Sequence, residues 1–69
     1  MATHLEHALY RLRHSLRRRA AGEHVVDDHT LIDALVSEWE LNARERGQMI
    51  QAAMEWEAEQ AARRSQEQR

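Results

Sequence analysis

The sequence predicts an all-α protein: a helical hairpin of two to three helices, assembled as a dimeric helical bundle. Composition is the first reason, because the 69 residues include no proline and only two glycines, while helix-favouring Ala, Leu, Glu, Gln and Arg dominate. Patterning is the second, since apolar residues recur at steps of three and four, the period of an amphipathic helix. Size adds the expectation of a partner. So short a chain buries little apolar surface and usually relies on disulfides, a metal or a second subunit. With no cysteine, a homodimer is the expected support.

The elements follow in order within one domain, 1–69, that shows no repeat or linker. Thr3 followed by Glu6 reads as a capping box, and Leu5, Leu9, Leu12 and Leu16 then step along one face. Helix 1 is expected over about 4–21, ending at Gly22, with arginines suited to the negative end of its dipole. Asp27 reads as the next N-cap, with Val26 and Leu31 placed as a hydrophobic staple. Helix 2, about 28–41, carries Leu31, Ile32, Leu35, Val36 and Trp39, a stripe broad enough to face helix 1 and a second subunit. Asn42 and Glu45 form another capping pair, so a break is expected at Leu41 to Ala43. A third helix or a continuation then runs over about 43–62 with Met49, Ile50, Ala53, Met54 and Trp56, and 63–69 is expected as a frayed tail. The residues expected in the core or dimer seam are Leu5, Leu9, Leu12, Leu16, Leu31, Leu35, Trp39, Ile50 and Trp56.

A net charge of -2 conceals an uneven distribution. Residues 1–26 hold five arginines against two acids and four of the five histidines, whereas 27–69 hold five arginines against ten acids. The halves attract each other, and the acidic half repels phosphate, which argues against a nonspecific nucleic-acid binder.

All five arginines of the first half lie in "RLRHSLRRR", residues 11–19. On a wheel at about 100° per residue, Arg13 and Arg19 flank the leucine stripe, where their stems cover it and their heads meet acids of the second half. Arg11, Arg17 and Arg18 fall on the opposite side with His7, Tyr10 and His14. Tyrosine and arginine are enriched in binding hot spots. Tyr10, His14, Arg17, Arg18 and His7 are therefore the expected partner-binding residues.

Other chemistry is poorly supported. No serine sits in a nucleophile setting and no glycine-rich phosphate loop is present, so no catalytic residue and no cofactor are expected. His4 and His7 are spaced for one helix face but lack a third ligand, so no metal site is expected. A helix-turn-helix layout across Leu41 and Asn42 lacks the usual turn glycine, and its second helix carries Glu45, Glu55, Glu57 and Glu59 against the phosphate field. No segment approaches the roughly 20 apolar residues of a membrane span. A cytoplasmic location is expected.

Two resemblances attach to particular stretches. "LNARERGQMIQAA", Leu41 to Ala53, resembles the opening of the DNA-binding domain of LuxR-type regulators, chiefly at Leu41 and Arg44, Glu45 and Arg46, and stops before a recognition helix. The chain as a whole, in its length and in "ALYRLRHSLRRRAAGEH" followed by "DDHTLIDALVSEWE", resembles the small phage-encoded anti-activator proteins of Mu-like transposable phages. That resemblance implies a helical homodimer that binds and blocks a host LuxR-type quorum-sensing activator, with a pilus assembly ATPase as a second partner. The alternatives are a small phage DNA-binding repressor or architectural protein using the helix 1 arginines, and a structural adaptor.

Overall fold

The computed structural model describes residues 2–67 as three α-helices: α1 (His4–Ala20), α2 (Asp28–Glu38) and α3 (Ala43–Glu67). No strand occurs among the described residues. The chain is therefore all-α, with each helix packed against the other two.

Local chemistry sets the ends of these helices. Thr3 is the N-cap of α1, its Oγ1 accepting from the Glu6 N–H at 3.1 Å. At the other end Gly22 takes φ 95°, a left-handed conformation open to glycine at little cost. The Gly22 N–H donates to the Arg19 carbonyl and the Glu23 N–H to that of Arg18, the two bonds of a Schellman motif.

The end of α2 uses the same device without glycine. Glu40 adopts φ 52°, so the Glu40 N–H donates to Ser37 and the Leu41 N–H to Val36. This closure stops α2 at Glu38, three residues short of the expected 41, and turns Leu41 into the core. Directly afterwards Asn42 and Glu45 form a reciprocal capping box: Asn42 Oδ1 accepts from the Glu45 N–H at 2.8 Å, and Glu45 Oε1 from the Asn42 N–H at 3.0 Å. The break at Leu41 to Ala43 thus divides α2 from α3 and rules out a continuous arm.

The cap of α2 is looser. Asp27 is its N-cap residue with extended backbone and no well-aligned side-chain cap hydrogen bond. Val26, expected as half of a staple, remains 49% exposed.

Residues 63–67 correct the expected frayed tail, since α3 continues through Glu67; residues 68 and 69 lie outside the described residues. Ala61, Ala62, Arg63, Arg64 and Gln66 are helix formers with no glycine or proline to stop propagation. At 25 residues, α3 is about 37 Å long, which accounts for the 43 Å long dimension of a molecule only 23 × 22 Å across.

The core lies where the three helices meet. Ala8, Leu12 and Leu16 from α1, Ile32 and Leu35 from α2, Leu41 from the turn, and Met49 and Ala53 from α3 are buried. Leu5, Leu9, Leu31, Val36, Trp39, Ile50 and Trp56 pack around them. Of the α1 leucines expected in the core or dimer seam, Leu12 and Leu16 are 0% and 1% exposed within a single chain and so belong to its own core, while Leu5 and Leu9 are half-buried at its edge. A third helix supplies the cover that a two-helix hairpin would need from a partner. Five buried residues lie outside the expected core set: Ile32, Met49 and Ala53 belong to apolar stripes whose neighbours were expected in the core instead, Ala8 leaves little trace in an apolar pattern because its side chain is small, and only the Schellman turn aims Leu41 inward.

Candidate protein-binding face

The amphipathic division of α1 fixes what it offers to solvent. With Ala8, Leu12 and Leu16 directed inward, Tyr10 is left 68% exposed, and its ring lies parallel to His14 one turn later, centroids 6.5 Å apart at 5°. Two shallow surface depressions flank the tyrosine: one is bounded by Glu6, Leu9, Arg13 and Arg17, the other by Arg11, His14, Ser15 and Arg18. Among the described residues, Arg11 and Arg17 take part in no salt bridge. Their guanidinium groups remain available for a partner, beside an amphipathic ring that loses little conformational freedom on binding.

Two residues expected on this face are engaged elsewhere. His7 stacks on Trp39 with ring centroids 5.3 Å apart and an interplanar angle of 11°, and His4 closes the cluster at 5.9 Å. The sequence could not show this, because α2 must end beside the start of α1 for Trp39 to reach the histidines. Arg18 faces outward but is held by Glu23 through two bonds, Nε to Oε2 at 3.2 Å and Nη2 to Oε1 at 3.3 Å. The hydrogen bond and the charge of Glu23 push the Arg18 pKa above its ordinary value. Tyr10, His14 and Arg17 thus stay together, with Arg11 joining them.

The arginines beside the leucine stripe differ from one another. Arg19 bridges all three helices, its Nη2 meeting Asp28 of α2 in an ion pair and donating to Glu57 Oε1 of α3 at 2.8 Å. The Asp28 hydrogen bond, ahead of an opposing desolvation, raises its pKa. Arg13 instead borders a surface depression between α1 and α3 with Ala52, Glu55, Trp56 and Glu59, and forms no salt bridge among the described residues. Trp39 and Trp56 are half-buried against the core, which leaves neither as a free anchor.

Electrostatics elsewhere is local. Asp27 has its pKa lowered chiefly by the Thr30 hydroxyl, desolvation opposing this and the Thr30 N–H assisting. Asp33 accepts from Arg46 at 3.1 Å and meets His29 Nδ1 at 2.9 Å. Among the described residues no group of three or more His, Asp or Glu side chains is placed to hold a metal, and no helix is long and apolar enough to cross a membrane.

Comparison with protein families, with curated proteins and with solved structures returned no match.

Proposed function

We propose that this chain is a small non-enzymatic inhibitor that works by binding another protein, with the face around Tyr10 as its anchor. One observation carries the reading: a tyrosine 68% exposed and stacked on His14, beside Arg11 and Arg17, which have no salt-bridge partner among the described residues. A tyrosine kept in water next to uncommitted guanidinium groups is the arrangement that hot spots use, aromatic area together with forked donors.

The resemblance to the small phage anti-activators supplies the target, the DNA-binding region of a host LuxR-type activator, with a pilus assembly ATPase as a second partner. Such a region is cationic where it meets phosphate. Glu55 and Glu59, exposed on α3, are suited to occupy that surface in place of DNA, while Tyr10, Arg11 and Arg17 anchor on its polar surroundings.

Binding of the purified activator domain to the wild-type chain and to two double variants tests this, with circular dichroism verifying that each variant is folded. Tyr10→Ala with Arg17→Ala should weaken binding about 30-fold or more, the loss of a hot spot of about 2 kcal/mol. Unchanged affinity removes the α1 face from the site. Loss only on reversing Glu55 and Glu59 assigns the affinity to phosphate mimicry. Duplex DNA binding that falls steeply with salt, with no protein partner present, supports the repressor alternative instead.

A further inference from the structure

Opposite the α1 face, α2 and α3 leave a groove of about 430 Å³ floored by Ile32, Ile50, Ala53 and Met54. Met54 is 63% exposed, the largest apolar group that α3 leaves in water. Charge is arranged in an ordered way along this groove. Arg46 stands at one end of the α3 stripe and Glu57 at the other, with Ile50, Ala53 and Met54 between them.

Steps of four, three and four place Arg46, Ile50, Ala53 and Glu57 on one face, with Met54 at its border. A stripe that reads positive, apolar, apolar, negative becomes its own complement when turned end for end. A two-fold axis between Ile50 and Ala53 sets Arg46 of one copy against Glu57 of the other, and Ile50 against Ala53 and Met54, twice over. Self-complementarity of this kind is what an isologous interface requires.

We infer that this groove is the seat of a second copy of the chain, the α3 helices running antiparallel across the Ile50 and Met54 stripe. The end charges are half-used within one chain. Arg46 donates Nε and Nη2 to Asp33, and Glu57 accepts from Arg19 through Oε1, so Nη1 and Oε2 remain for the second copy. The seam also meets the shortage that the small core leaves, through α3 and not through the α1 leucines. It lies apart from Tyr10, so assembly and partner binding are separate properties of the molecule.

Sedimentation equilibrium of the full chain alone, from micromolar to millimolar concentration, tests the seam. The wild type should form a dimer, and Met54→Asp should be monomeric with an unchanged helical spectrum. Arg46→Glu and Glu57→Arg should each weaken the dimer by about tenfold or more, because like charges then face each other at both ends. An equimolar mixture of the two should regain a heterodimer, since each reversed charge meets its opposite; the loss in each single reversal marks the antiparallel register, because a parallel pair already sets like charges together in the wild type. A wild type that stays monomeric at every concentration overturns the inference and leaves the groove to a different protein. A dimeric Met54→Asp, or folded single reversals whose mixture recovers nothing, overturns it as well. Tyr10→Ala should remain dimeric, which separates failure of this seam from failure of the α1 binding face.

Discussion

Arg19→Met keeps the aliphatic stem that covers the core edge and removes the charge that joins α1, α2 and α3. The bond to Glu57 is half in water, so by itself it contributes about 0.2 to 1 kcal/mol. Asp28 decides the outcome. Its Oδ1 is inaccessible to solvent and meets Arg19; an oxygen stranded there costs about 1 to 3 kcal/mol. The sum is about 2 kcal/mol, enough to lower the melting temperature of a domain this size by about 8 to 16 °C. Thermal unfolding followed by circular dichroism reads that shift directly. Adding Asp28→Asn to Arg19→Met should recover part of it, because a neutral amide is easier to leave without a charged partner. A melting temperature for Arg19→Met within about 3 °C of wild type, a change of under about 0.5 kcal/mol, would refute the view that Arg19 joins the helices energetically as well as geometrically.

Two further outcomes concern the caps. Glu40→Gly should stabilise the chain by about 1 kcal/mol, measured by urea unfolding, because the left-handed φ of 52° strains a glutamate and suits glycine. Asp27 gives a pH dependence whose sign follows from its lowered pKa: stability is fully present above the ordinary value of 3.8 and is lost as pH falls below it through the folded-state value. Melting temperatures of wild type and Asp27→Asn should therefore converge towards the acid end of a titration and separate above it.

How much of this was legible beforehand differs from residue to residue. The α1 start at Thr3, its stop at Gly22 and the capping box at Asn42 and Glu45 are contacts between residues three to five positions apart, and sequence spacing records such contacts. The leucine stripe and the exposure of Tyr10 follow from the same periodicity. His7 illustrates the limit. Its position on the wheel is with Tyr10, yet its ring rests on Trp39, 32 residues away in sequence, which no helical wheel can contain.

The groove was illegible for a related reason. Met49, Ile50, Ala53 and Met54 read as one apolar set on the third helix, and only the packing of α3 against the other helices decides that Met49 and Ala53 are buried while Met54 faces water. By itself, then, the sequence determined that this chain is helical, where α1 is capped at both ends and α3 at its start, and which α1 side chains meet solvent, since these depend on neighbours along one helix. The tertiary structure alone decided that Leu12 and Leu16 are covered within the chain, that Arg19 ties three helices together, and that a charged, self-complementary groove is left open. Those outcomes depend on how three amphipathic faces divide a small apolar area, and that division is set by packing among helices that the order of residues does not display.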